Sequence, residues 1–184
     1  MESNNVNYNE ECIKGGLIVG AVSIILTMLV YLFNIELMVK WWFGVLNLVI
    51  SMGLLIFLGI SFRNLMGGFI SYKNALQFSF IVFLISYVMG IVFQLLLYNV
   101  IDPSLPEVIK QLTVETTVEM MENFGTPQEA IDAAIVGIEE GVDQSTTPMG
   151  LLKSTPWGIL FIFIFAALGA IFIKKNPPVS DRIN

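Results

Sequence analysis

Four stretches of this chain, residues 15–33, 41–62, 75–100 and 156–173, contain no Asp, Glu, Lys or Arg. A bilayer core ~30 Å thick takes roughly 20 helical residues at a rise of ~1.5 Å each, so these runs have membrane-spanning length. Lipid offers no partner for backbone N–H and C=O groups, which restricts a spanning segment to an α-helix or a strand of a closed barrel. The two-residue alternation of barrel strands is absent from runs such as IVFLISYVMGIVFQLLLY. The chain is therefore read as an all-α integral membrane protein with four transmembrane helices, a single four-span domain over residues 1–184. The third run is the longest and is expected to tilt or to project beyond the lipid.

Composition closes off several function classes. With 55% hydrophobic and 13% charged residues and a mean hydropathy of +0.78, the chain is no ordinary soluble domain. One cysteine and no histidine exclude a disulfide framework, a zinc finger, histidine-based catalysis and histidine-ligated haem. No cofactor, metal or nucleic-acid partner is expected. The leader carries Glu2, Glu10 and Glu11 against Lys14, and no small-x-small site follows Phe33, so the first run reads as a retained anchor rather than a signal peptide. Cys12 precedes that run, which excludes a lipoprotein cleavage site, and as the only thiol it offers a reporter of sidedness.

Basic residues set the orientation. Lys14, Arg63, Lys73, Lys174, Lys175 and Arg182 fall on one side of the four spans, Lys40, Lys110 and Lys153 on the other. The richer side is cytoplasmic by the positive-inside rule. Both termini are then expected in the cytoplasm. Trp41, Trp42, Trp157 and Tyr98 mark the outer ends of their spans, and Tyr72 the inner boundary.

Between spans three and four, residues 101–155 hold ten acids against Lys110 and Lys153, a net charge of −8. This is the predicted extracytoplasmic segment, and it reads as an amphipathic helical hairpin. Ser104 with Glu107, and Thr126 with Pro127 and Glu129, fit capping boxes; Gly125 and Gly141 are predicted left-handed stops. In the first helix Leu105, Val108, Ile109, Leu112, Met120 and Phe124 share one arc, opposite Glu107, Glu115, Glu119 and Glu122. In the second, Ala130, Ile131, Ala134, Ile135 and Ile138 recur at helical spacing. The acids lack the loop spacing of a calcium site, so a solvated face is the expectation. Nothing in the sequence supplies a nucleophile or pocket for acid/base chemistry.

Within the spans Asn47 and Gln94 are the strongest polar groups. Such side chains join neighbouring helices more often than they line a path. Gly16-x-x-x-Gly20 and Ala166-x-x-x-Ala170 allow close backbone approach, expected inside the bundle in preference to a homodimer face. Ionisable residues and mid-span prolines, the usual marks of coupled transport, are absent.

The order of several short pieces carries a family resemblance. Gly67-Gly68-Phe69-Ile70-Ser71-Tyr72-Lys73-Asn74-Ala75-Leu76 leads into the third span, followed by Tyr98, Ile101-Asp102-Pro103, an acid-rich stretch over Glu115 to Glu122, and Gly125-Thr126-Pro127-Gln128-Glu129. Over about residues 10–175 the chain resembles the bacterial membrane-protein family numbered 4199 among the domains of unknown function. The resemblance implies a four-span inner-membrane protein with its long segment between spans three and four. It carries over no catalytic residue. By themselves, Gly67 and Gly68 suggest a turn, with FISYKNAL lying at the cytoplasmic interface.

The leading expectation for function is a non-enzymatic structural or interaction module that presents its acidic hairpin to a membrane-protein partner or to a second copy. A small channel or transporter component is the alternative, resting on Asn47, Gln94 and the span serines. A membrane-embedded enzyme rests only on the outer carboxylates.

Overall fold

The structure, a computed structural model, describes residues 7–177. Glu2 and Arg182, used above for leader and orientation, lie outside the described residues, as does the side chain of Asp143. Apart from one isolated bridge, every described element is helical: α1 (Tyr8–Phe33), a 3-10 turn (Ile35–Val39), α2 (Trp41–Leu65), α3 (Tyr72–Leu96) continuing as a π turn (Leu97–Ile101), α4 (Leu105–Asn123), α5 (Gln128–Thr146) and α6 (Pro148–Ile173). Four helices are long and apolar enough to cross a membrane: α1, α2, α3 with its π turn, and α6. The chain divides into two compact units, residues 1–23, 48–89 and 157–184 in the first and 24–47 and 90–156 in the second.

The first unit is held by a core to which all four long helices contribute. Cys12 and Val19 of α1, Leu55 and Phe62 of α2, Phe78 and Val82 of α3, and Ala166, Ala170 and Ile173 of α6 are buried together. Phe62 and Phe78 stack with centroids 4.7 Å apart and planes 6° from parallel, and Tyr8 meets Phe62 edge-on at 5.4 Å. Large apolar side chains also point outward, Phe57 at 67% and Phe172 at 64% exposure among them. Large apolar side chains left exposed along helices of this length and hydropathy are consistent with contact to a lipid bilayer. Cys12 is completely buried, so its protection from a reagent reports packing and not sidedness. Adjacency in sequence to a charged leader hid this.

Glycine and alanine placement decides which helices touch. A Cβ on Gly16 would stand 2.6 Å from the Ile85 Cβ, and one on Gly20 2.8 Å from the Met89 Sδ; the small pair of α1 is therefore spent on α3. Ala166 and Ala170 are fully buried in the core. Gly53 and Gly90 have no neighbour within 4 Å of a built Cβ. At one end of this unit Gly67 and Gly68 take φ +89° and +87°, left-handed conformations that side chains resist. They turn the chain so that Ile70 and Lys175 exchange two backbone hydrogen bonds, of 2.9 and 3.0 Å.

In the second unit α4 packs against α5 and against the 3-10 turn. Several boundaries differ from the sequence reading. Helix α6 starts at Pro148, so Pro156 lies inside it instead of opening the fourth helix. Proline at a first helical position costs nothing; within the helix Pro156 lacks the N–H that would meet the Leu152 carbonyl, and one residue before Leu152 the Leu151 carbonyl accepts the Ser154 and Thr155 hydroxyls at 3.0 and 2.9 Å. Gly125 ends α4 with φ +68° as expected, but α5 runs through Gly141 to Thr146.

Neither capping box forms. Ser104 is helical at φ −85°, ψ −18°, and its hydroxyl donates backward to Asp102 Oδ1 at 2.6 Å, while Pro127, not Thr126, precedes α5 and makes no side-chain cap. Of the apolar arc of α4, Leu105 is buried, whereas Met120 and Phe124 stay exposed.

Candidate functional site

The charge of the second unit is organised by the geometry of α4. Glu107, Glu115, Glu119 and Glu122 recur every three, four or eight residues, which places them along one side of the helix. The pairing of α4 with α5 brings Glu139 to the same place. Together they wall an open groove of ≈ 500 Å³, with Val114 and Val118 among its lining residues and Lys110 and Gln111 completing it. Lys110 is held by Glu107 at 3.1 Å, leaving four of the five glutamates without an ion pair among the described residues. The acids expected to be merely solvated thus share one concave surface. Single-helix periodicity shows the α4 stripe but cannot show that Glu139 joins it.

The arrangement suits a diffuse field more than chelation. Among the described residues no three Asp, Glu or Cys side chains converge closely enough to hold a metal ion. Carboxylates strung along a helix raise the local concentration of cations and steer a basic partner without fixing it in one coordination geometry.

The junction between α3 and α4 is built around Asp102. Its carboxylate accepts the Ser104 hydroxyl at 2.6 Å and the Ser104 N–H at 3.1 Å on Oδ1, and the Tyr31 hydroxyl at 3.2 Å on Oδ2. The Ser104 hydroxyl above all, with Tyr31 and the backbone N–H, holds the Asp102 carboxyl below the usual carboxylate range, against a smaller opposing push from partial burial. A carboxylate whose folded pKa is depressed contributes stability above its unfolded pKa and loses it as pH falls through the folded value. The junction is therefore expected to hold at neutral pH and to weaken only in acid below the ordinary Asp range. Carbon-detected NMR titration of the protein in detergent checks this: Asp102 should titrate lower than a free aspartate, and Ser104→Ala should move it upward. An unshifted Asp102 would refute the assignment.

The polar residues singled out within the spans are distributed. Gln94 Nε2 donates to the Ser145 carbonyl at 3.5 Å, the long limit for such a bond, linking α3 to the last turn of α5. Asn47 is half-buried in α2 and is not without a partner. It is not brought together with Gln94 in any site the structure shows. The Ser23 and Ser51 hydroxyls lie 3.1 Å apart, joining α1 to α2, and Ser86 donates to the Gly16 carbonyl at 2.9 Å.

Sequence reasoning missed the Tyr31–Asp102 contact, whose partners are 71 positions apart, and the Arg63 guanidinium, whose Nη1 donates to the terminal α6 carbonyl of Ile173 at 3.0 Å. An uncharged span ending in arginine signals an interface but not which helix end it covers.

The family model described as "Protein of unknown function (DUF4199)" matches residues 14–175. No curated protein matches the chain, and no solved structure does.

Proposed function

The chain belongs to this family of proteins of unknown function, and we propose that it is a non-enzymatic multi-pass protein of the bacterial inner membrane, with both termini cytoplasmic, that presents the α4–α5 hairpin outside as an interaction module. The observation that carries the reading is the groove itself: glutamates from two helices face one concavity whose lining includes Val114 and Val118. Acid walls attract a basic segment and speed its encounter, while the valines give an apolar side chain somewhere to rest. The exposed Met120 and Phe124 suit contact with the bilayer surface. Hydrogen bonds from Ser86 and Gln94 to neighbouring helices support a joining role for the span polar groups over a conduction path.

Two measurements test the proposal. Since Cys12 is buried it can stay in place, and single cysteines are introduced at Asn9 and Glu140, both exposed. An impermeant maleimide on intact cells should label position 140 and spare position 9; the reverse pattern puts the hairpin in the cytoplasm. A photo-crosslinking residue at Gln111 should then trap a partner, and Glu115→Gln with Glu119→Gln should abolish the adduct. No adduct, or one indifferent to those charges, would sink the interaction reading.

A further inference from the structure

At one end of the first unit, four cations stand without a carboxylate partner among the described residues: Arg63, Lys73, Lys174 and Lys175. Among the described residues of this unit the acids are Glu10 and Glu11, and both pair with Lys14, at 2.8 and 3.3 Å. The start of α1 belongs to the same end, because the Tyr8 hydroxyl donates to the Asn74 carbonyl at 3.3 Å and its ring meets Phe62. Five cations against two carboxylates therefore occupy this end of the described unit.

Several contacts hold that charge in place. Arg63 covers the carbonyl end of α6, and the mutual backbone bonds of Ile70 and Lys175 tie the segment after α6 to the glycine turn. Lys174 Nζ lies 5.7 Å from the Tyr72 ring centroid and Lys175 Nζ 5.6 Å from that of Phe69. Cation–π contact at that distance orients an ammonium group without neutralising it. Lys73 sits in the first turn of α3, where the helix dipole opposes a cation, so an anion placed there would relieve both. The exposed Tyr72 ring is an amphipathic anchor of the kind that settles at headgroup depth, and the exposed Phe69 ring is an apolar one.

We propose that this cluster is a binding site for the phosphate of an anionic phospholipid headgroup, with Lys73, Lys174 and Lys175 as its contacts, Arg63 as the residue that positions the α6 end, and Phe69 and Tyr72 at the glycerol level. Charge complementarity selects the class: a zwitterionic lipid offers a phosphate together with a competing cation, an anionic lipid offers the phosphate alone. The proposal rests on the membrane reading of the chain but not on the hairpin's partner.

The full chain, purified in neutral detergent, is titrated with phosphatidylglycerol, with phosphatidylcholine and with inorganic phosphate, and bound lipid is counted by native mass spectrometry. Phosphatidylglycerol should bind at least roughly tenfold more tightly than phosphatidylcholine, and each cation removed should weaken it roughly fivefold. Lys174→Gln with Lys175→Gln should accordingly cost roughly twenty-five-fold, while Lys153→Gln, exposed in the second unit, should change nothing. If the double variant loses its helical circular dichroism, a salt series on the unaltered protein replaces it: binding should fall steeply between about 0.05 M and about 0.5 M salt. Equal binding of the two lipids, a folded double variant that binds like the parent, or displacement by inorganic phosphate alone would each overturn the site. Failure of the chain to enter liposomes of either lipid would instead overturn the membrane reading.

Discussion

Phe78→Ala is expected to lower the stability of the first unit by roughly 3 kcal/mol, the lower end of the usual range for deleting a buried aromatic side chain. Phe78 is 1% exposed and stacks on Phe62 at 4.7 Å, so truncation removes one ring from a three-ring cluster and leaves a cavity against Val82 and Gly15. The lower end applies because lipid is about as apolar as the core, so an unfolded helix in the bilayer already keeps its apolar surface from water and only packing is lost. Phe57→Ala is the control: at 67% exposure it should cost less than about 0.5 kcal/mol. Reversible unfolding in mixed detergent micelles reads both. Equal losses at the two sites would mean that Phe78 faces lipid and that the core is wrongly drawn.

Gly16→Ala should cost roughly 1–3 kcal/mol, the range for forcing an extra methyl into a filled interior. The added Cβ would come within 2.6 Å of the Ile85 Cβ and 3.1 Å of the Val82 carbonyl oxygen. Neither atom can swing away by a side-chain rotation, so α1 must move off α3, stretching the 2.9 Å bond from Ser86 to the Gly16 carbonyl. Gly16→Leu should be worse still. Gly53→Ala meets open space and should be neutral or stabilising by up to about 1 kcal/mol, the helix-propensity gain of alanine over glycine. The pair also separates packing within the chain from packing between copies. A glycine reserved for a second copy would, when changed to alanine, shift the oligomeric state and spare the stability of the monomer.

Much of the fold was legible in the sequence because its strongest signals are local. Absence of charge over some twenty residues marks a long apolar helix whatever it packs against, and the four such helices of the structure contain the four uncharged runs. Gly125 was readable as a helix stop because a left-handed residue is a local requirement. The family was readable too, since the pieces around the third span keep their order, and the match over residues 14–175 shows it. Helix ends were less legible. Thr126 and Ser104 have the chemistry of caps, but Ser104 is already in the helical conformation, with its N–H and hydroxyl both donating to Asp102 Oδ1, and Pro127 takes the cap position one residue after Thr126. Pro156 reads as a helix start, yet Pro148 competes for the same role eight residues earlier and the helix continues through.

Sequence alone thus determined the number and order of the apolar helices, the placement of an acidic helical pair between the third and fourth, and the family, because hydropathy and charge act residue by residue and need no partner. Only the tertiary structure decided which small residues lie against which helix, that Cys12 is buried, that Glu139 of α5 completes the acidic groove of α4, and that Arg63, Lys174 and Lys175 meet beside Phe69 and Tyr72. Each of these depends on rotation of one helix about its axis relative to another. In lipid that rotation is set by close packing and a few hydrogen bonds between residues many positions apart, and a one-dimensional pattern of apolar residues, nearly uniform around each helix, carries almost no record of it.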